Sequence, residues 1–211
     1  MLNLLDRKLR QMHSALAGLG NSDLTSIQPQ IAQTDGHVYT EVDFNQNSDP
    51  IALANAASLL VANIASLKDH LKASLKDHLK AWCKKQGTSF DGDKLINTNQ
   101  SVALIHDLWN VDKHAELNSP PRSGHTPKLT GIATALAISA GTEAGASACF
   151  SMDPRTGKVT TSTSGGGTIQ LALVAQISDE NGVNLGDFSK VCTEAAEAWS
   201  AALHAAGVPL P

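Results

Sequence analysis

A stripe of polar residues in the middle of the chain combines the side-chain types that acid–base chemistry needs. Its four members are His106, Asn110, Lys113 and His114. Their spacing of i, i+4, i+7 and i+8 places them on one face of a helix, and apolar residues on the opposite face predict that helix over residues 99–117. Metal-independent RNA cleavage needs a base for the 2′-hydroxyl, an acid for the leaving oxygen and a cation for the phosphorane.

Two interpretations of this stripe follow from the residue types alone. In the catalytic one, His106 and His114 share the proton transfers, while Lys113 supplies charge and Asn110 orients the substrate. In the structural one, His106 and Asn110 form a hydrogen bond across a helix interface, and the other two side chains face solvent. The spacing permits both.

A second pattern is a row of lysines at strict four-residue spacing. The row consists of Lys68, Lys72, Lys76, Lys80 and Lys84. One helix face carrying these ammonium groups could contact phosphates of a nucleic acid, or lie on a membrane surface. Asp69 and Asp77 partly offset the charge, and the chain has few aromatic residues for base stacking. A solvated helix face is the alternative.

No metal or cofactor site is predicted. His70 and His78 are eight residues apart, whereas paired histidine ligands on a helix are four apart, as in HExxH. The three cysteines are far apart without a CxxC pair, and we expect buried free thiols. The glycine-rich residues 164–167 lack the GxxxxGK[ST] pattern of a phosphate-binding loop.

The element that must position these groups is a very long helix predicted over residues 49–86. Asp49 suits an N-cap, Pro50 the first helical position and Gly87 a left-handed C-cap. Within it, ASLKDHLK occurs twice in tandem, at residues 65–72 and 73–80. Eight residues at about 100° each advance the helix face roughly 80° beyond two turns, so the two copies cannot face the core alike. We predict that the extra copy either lengthens the helix by about 12 Å or is looped out.

The other segments predict an α+β fold with two parts that pack as one unit. Residues 1–118 form the helical part, with one half-buried strand at 37–44 that we expect to pair with the C-terminal strands. A linker rich in proline and glycine follows. Residues 128–211 then predict a small antiparallel β-meander covered by a C-terminal helix, which Asp187 caps.

One family resemblance is carried by SVALIHDLWNVDKHAEL at residues 101–117, which contains Asn110-x-x-Lys113-His114. Following a long partner helix, this motif resembles the helical nucleotide-binding domains called HEPN, found in bacterial defence and toxin systems. The resemblance covers residues 49–117. Members that cleave RNA carry an arginine and a polar residue shortly before the histidine. Residues 107–109 of this chain are Asp, Leu and Trp, and the missing arginine argues against cleavage.

Composition limits the remaining possibilities. The 211 residues carry a net charge of −4, so no global electrostatic field favours nucleic acids or membranes. The N-terminus lacks the pattern of a signal peptide, and Asn55, Asn63 and Lys68 interrupt the apolar part of the long helix. We therefore expect a cytoplasmic protein without a membrane span.

The sequence thus predicts a non-catalytic binding or interaction protein of bacterial type. The HEPN resemblance implies an association with defence, and the partner is either a protein or RNA. One alternative is a metal-independent ribonuclease that uses His106 and His114. Another is a scaffold whose duplicated helix, natural or engineered, has no separate function.

Overall fold

The computed structural model describes most of the chain and has the predicted α+β architecture. The described residues are 7, 10–11, 20–21, 24, 27, 29–34, 37–45, 49–73, 76–114 and 119–208. Most of residues 1–28, and residues 115–118, lie outside these ranges. Helices dominate the first half of the described chain, and strands dominate the second half.

Six helices are defined within the described residues. They are α1 (Pro50–Ala65), α2 (Leu67–Ala73), α3 (Lys76–Gln86), α4 (Gly92–Thr98), α5 (Gln100–His114) and α6 (Phe188–Ala205). The first three cover the segment predicted as one long helix. Asp49 accepts a hydrogen bond from the Ile51 backbone N–H at 2.9 Å, and Gly87 has φ 68°, so both predicted caps are confirmed.

The long segment bends at Ser66, between α1 and α2. The α-helical hydrogen bonds nevertheless continue through it, because Ser66 N donates to Ala62 O and His70 N donates to Ser66 O, both at 3.0 Å. Residues 74 and 75, which join α2 to α3, lie outside the described ranges. The fate predicted for the second ASLKDHLK copy, extension or looping out, therefore stays a prediction.

On the long helix, the three- and four-residue spacing of a leucine-rich set predicts one buried stripe, and most of it faces the core; the set is Leu59, Leu60, Ile64, Leu67 and Leu71. Leu60, Ile64, Leu67 and Leu71 are each no more than 4% exposed. Leu59, which we placed in the same stripe, is 61% exposed. This part of the prediction is wrong because Leu59 lies about 100° around the helix from Leu60, outside the arc that its buried neighbours occupy.

The described residues contain eight strands, and they do not pair as a simple meander. They are β1 (Gly20–Asn21), β2 (Gln30–Thr34), β3 (His37–Glu41), β4 (Lys128–Ser139), β5 (Ser147–Met152), β6 (Val159–Ser164), β7 (Thr168–Ser178) and β8 (Asn184–Asp187). One sheet has the order β1-β7-β4 with β8 also paired to β7, and β2-β3 and β5-β6 form separate antiparallel pairs. A meander would have paired β7 with β6.

The strand predicted at 37–44 is present but shorter, as β3. Its partner is β2, with Ile31 opposite Thr40, and not a C-terminal strand. Segments close in the chain pair with a small loss of loop-closure entropy, whereas the predicted pairing required closure over at least 84 residues, from residue 44 to residue 128. The local partner lies in residues 30–34, for which we predicted no strand.

The chain divides into two compact units, each formed from separate stretches of sequence. The first contains residues 1–18, 54–132 and 175–211. Its core lies between α5 and α6, where Ile105 and Trp199 are at most 1% exposed. Ser101 Oγ also donates to Glu194 at 2.7 Å, and Asp187 accepts from Lys190 N at 2.8 Å as the predicted N-cap of α6.

The second unit contains residues 19–53 and 133–174. It holds the two antiparallel pairs β2-β3 and β5-β6, and Thr40 Oγ1 donates to the Pro154 carbonyl at 3.0 Å. β6 is almost wholly exposed. The division into parts at residues 118 and 128, which we inferred from the linker, stays a prediction.

Candidate functional site

Helix α5 carries the predicted catalytic stripe and has an almost continuous buried segment. Asn99 Oδ1 accepts from Val102 N at 3.0 Å, which caps the start of the helix. All seven residues 102–108 are buried. One face of a helix cannot include seven successive residues, so α5 is enclosed on several sides here, and polar side chains in this segment must find partners within the protein.

His106 is one of these buried residues, with 9% of its surface exposed. Its Nδ1 lies 3.1 Å from Asn110 Nδ2, at hydrogen-bond distance, and 3.6 Å from Asp107 Oδ1. The hydrogen bond predicted between His106 and Asn110 is present, but it joins residues one turn apart on the same helix. The imidazole is therefore already engaged on its Nδ1 side.

Asp107 is the most deeply buried charged residue of this region, at 2% exposure. Its Oδ2 accepts a hydrogen bond from Ser123 N at 2.7 Å. Burial alone would raise the pKa of this carboxyl, but the adjacent His106 side chain and hydrogen bonds from Ser123 outweigh burial and lower the pKa below its ordinary value. Asp107 therefore remains ionised near neutral pH. Its hydrogen bond with Ser123 N holds the linker against α5.

Sequence reasoning missed Asp107, because we considered this position only as the place of a missing arginine. The available signal was a carboxylate next to a buried histidine, within a run of apolar residues that a helix must bury. Ser123 continues the contact, since its Oγ donates to the His125 carbonyl at 3.0 Å. A short linker rich in proline is thus held in place by one ionised side chain.

The other two members of the stripe are exposed. His114 lies in the last turn of α5, and Lys113 Nζ lies 4.8 Å from the centre of the Trp109 ring, which is a cation–π geometry. The structure therefore separates the four predicted residues into a joined pair, His106 and Asn110, and two exposed groups. Their assignment as catalytic residues stays a prediction.

The lysine row is also divided. Lys68 Nζ lies 3.0 Å from Asp93 Oδ1, and only 11% of its side chain is exposed. Arg122 contacts the same carboxylate oxygen at 3.1 Å, so Asp93 holds two cations at once. Lys80 and Lys84 are exposed on α3, while the side chains of Lys72 and Lys76 lie outside the described ones. Lys68 is a structural ion-pair partner.

A half-open cavity of about 750 Å³ lies beside this row, within the first unit. We call it the lysine-rimmed cavity. Its lining includes the three described lysines Lys68, Lys80 and Lys84, together with the apolar residues Leu71, Leu79, Cys83 and Phe90. In the sequence, the leucines and lysines that line the cavity form adjacent rows on one predicted helix. Periodicity could not show that the two rows would border a cavity.

Two of the three cysteines are buried thiols. Burial, with a smaller contribution from Asp187, raises the pKa of the Cys192 thiol well above its ordinary value, so the thiol stays protonated. Cys83 is buried as well. Cys149 is exposed, which contradicts our expectation that all three thiols are buried; it lies on β5, a strand of an isolated pair.

Among the described residues, no three His, Cys, Asp or Glu side chains lie close enough together to hold a metal ion.

The residues Pro50–Leu71 form a helix that is long and apolar enough to cross a membrane, with a mean hydropathy of 1.6 and 33% of the residues in that window buried. We had taken two asparagines as interruptions, but residues 50–67 contain no charged side chain. Core helices of soluble proteins satisfy the same criterion.

Comparison of the chain with protein-family models, with curated proteins and with solved structures finds no match. The HEPN resemblance therefore stays a prediction from one short motif. The geometry of α5, of α3 and of the lysine-rimmed cavity is therefore the evidence about function.

Proposed function

We propose that the protein is a non-catalytic binding protein. The observation that carries this proposal is the burial of His106 and its contact with Asn110. A general base has to come within hydrogen-bond distance of the proton that it removes. With His106 enclosed and His114 exposed two turns further along α5, the two imidazoles do not offer one open pair to a ribose.

The surroundings of His106 support the same conclusion. Asp107 is directed at the Ser123 backbone, where its charge positions the linker and leaves no free carboxylate for catalysis. Lys113 lies over Trp109, which gives its ammonium group a structural partner. Each polar group near the buried end of the stripe thus has a role in holding α5 and its neighbours together.

Three finer proposals rest on the sequence alone. An association with bacterial defence systems, a location in the cytoplasm and a partner that is a protein or RNA all follow from the motif and the composition. The scaffold alternative requires that the duplicated segment bind nothing. The lysine-rimmed cavity on that segment favours a binding role over a scaffold.

Incubation of single-stranded RNA with the purified protein tests the central proposal. We expect no cleavage above the buffer control by the wild type or by His114→Ala. A matched control is His204→Ala, which removes another exposed histidine from the last turn of a helix. Cleavage that is present in the wild type and in His204→Ala but lost in His114→Ala would overturn the proposal and favour the ribonuclease.

RNA binding without cleavage is tested by a salt titration. If RNA contacts the exposed lysines of α3, the double variant Lys80→Gln/Lys84→Gln should flatten the dependence of log K on log salt by about 1.4, since each phosphate contact on a single strand contributes roughly 0.7. An unchanged slope would place the RNA contacts away from Lys80 and Lys84, and no RNA binding would leave a protein or small-molecule partner.

A further inference from the structure

We propose that the lysine-rimmed cavity binds a single-chain amphipathic anion, an acyl chain of medium length that ends in a carboxylate. This inference rests on the proposed binding role, because it assigns a ligand class and no reaction to the site.

The size suits a small organic ligand. Sites for such ligands are clefts of about 300–1,000 Å³ with a mainly apolar lining and a few charged or polar groups that fix orientation. The lysine-rimmed cavity, at about 750 Å³ and half open, lies within this range. It has room for a flexible chain and an opening through which the chain can enter.

The floor is apolar and formed by core side chains. Leu71, Leu79 and Cys83 are core residues, each no more than 7% exposed, whose outermost atoms line the cavity, and Thr88 and Ser89 add polar groups to the lining. Phe90 adds an aromatic wall and contacts Trp199, with ring centres 6.3 Å apart. Each methylene that leaves water for such a surface contributes about 0.8 kcal/mol, which is the interaction that an acyl chain gains.

The rim is cationic, with two charges that have no counterion among the described side chains. Lys80 and Lys84 are one turn apart on α3, both are exposed, and no described carboxylate forms an ion pair with either. The third lysine, Lys68, is already matched by Asp93. A single anionic head group near Lys80 and Lys84 would complete the charge balance.

Asp91, the one carboxylate among the described lining residues, already has partners in the protein. Asp91 Oδ1 accepts hydrogen bonds from Asp93 N and Lys94 N, both at 3.0 Å, as the N-cap of α4. It therefore does not compete for the two lysines through these contacts. A concave floor with a cationic edge favours one chain with one charged end, whereas a flat lysine face would favour a membrane surface.

Calorimetric titration with dodecanoate, below its micellar concentration, tests the proposal. We expect saturable binding by the wild type at one site per chain. Dodecyl maltoside, which has the same tail and no charge, and acetate, which has the charge and no tail, should each bind at least about tenfold more weakly. Equal affinity for the maltoside, or no binding of dodecanoate, would overturn the proposal.

Charge reversal locates the head group. Lys80→Glu/Lys84→Glu should lower the affinity for dodecanoate by at least about tenfold. The matched control is Lys128→Glu/Lys158→Glu, which changes net charge equally at two exposed lysines remote in sequence, and should stay within about twofold of the wild type. Equal losses in both double variants would overturn the assignment to this cavity.

A filled cavity locates the tail. Leu79→Trp adds volume at the floor and should abolish binding while the far-ultraviolet circular dichroism spectrum stays that of the wild type. If this variant does not fold, the charge-reversal pair still decides the question. Binding of anionic phospholipid vesicles without binding of free dodecanoate would overturn the proposal in favour of a membrane surface.

These results are independent of the RNA experiment. Absence of dodecanoate binding together with absence of RNA cleavage removes the ligand and leaves the non-catalytic role. Cleavage that depends on His114 removes the non-catalytic role, whatever the calorimetry shows.

Discussion

The α5 stripe and the rim of the lysine-rimmed cavity use polar side chains in opposite ways. On α5, His106, Asn110 and Asp107 are buried or half-buried and are paired within the protein. On α3, Lys80 and Lys84 are exposed beside an apolar floor and have no described ion-pair partner. The α5 stripe has the more reactive residue types, and its polar groups are thus the ones with more partners within the protein.

This difference shows why residue type alone is a weak guide to function. A buried ionised group needs partners to compensate for the loss of hydration, so histidine and aspartate near a core are commonly used to hold elements together. A ligand can gain only from groups that the protein has left available. By that criterion, α3 is the better candidate for binding, although its lysines have the less distinctive sequence pattern.

The largest effect that separates the two regions should come from Asp107→Ala. Without the carboxylate, the buried Ser123 N–H loses its acceptor, and we expect a loss of about 1–3 kcal/mol in the free energy of unfolding. Urea denaturation provides the measurement. The matched control is Asp112→Ala, at an exposed position of the same helix, which should change stability by less than about 0.5 kcal/mol. Equal effects would contradict a structural role for Asp107.

A second effect, of intermediate size, is a difference in pH dependence. The pKa of Asp107 in the folded protein is lowered from 3.8, so in acid the folded state binds fewer protons than the unfolded state. Its contribution to stability is therefore complete above about pH 5 and is lost as the pH falls through 3.8 towards the folded-state pKa.

The variant Asp107→Asn measures this contribution, because it cannot titrate. The stability advantage of the wild type over this variant should shrink on acidification from about pH 6 to pH 3, as followed by urea denaturation at each pH. A constant difference over that range would mean that the carboxyl has an ordinary pKa. The result would then weaken the contrast with the solvated lysines of α3.

The smallest effect concerns Lys113. Removal of its ammonium group in Lys113→Ala deletes the contact with the Trp109 ring, and we expect a loss of about 0.5–1 kcal/mol, as is typical for an exposed cation–π pair. Lys113→Arg keeps a cation over the ring and should remain close to the wild type. Thermal unfolding of both variants measures the difference, with Lys84→Ala for comparison, since no described side chain pairs with Lys84.

An equal loss of stability in Lys113→Ala and Lys84→Ala would contradict the comparison at α3. It would show that Lys84 has a structural partner. The rim of the cavity would then resemble the α5 stripe, and the charge balance that supports an anionic ligand would no longer hold.

Local features of the fold were predictable where a single residue type controls them. The caps formed by Asp49, Gly87 and Asp187 were correct because a side-chain oxygen or a glycine at a helix end acts on neighbouring backbone groups. Hydrogen bonding of His106 and Asn110 was expected across a helix interface, whereas the structure joins the two within α5, since residues four apart on a helix are neighbours.

Features that depend on long-range packing were predicted less well. β7 pairs with β4 and β1 rather than with β6, and β3 pairs with β2. The period-two pattern of a strand identifies its faces but not its partner. Burial of Leu59 was predicted wrongly for a related reason, because the width of the buried arc depends on which elements pack against the helix.

The sequence by itself determined the α+β composition, the helix ends and the two polar patterns, because these follow from interactions over one or two turns. Only the tertiary structure decided which polar groups are paired within the protein and which remain accessible to a ligand. The linker that reaches Asp107 and the carboxylate that neutralises Lys68 come from distant positions in the chain. Their contacts leave Lys80 and Lys84 as the charges that a ligand can meet, since solvation and pairing depend on neighbours in space and not in sequence.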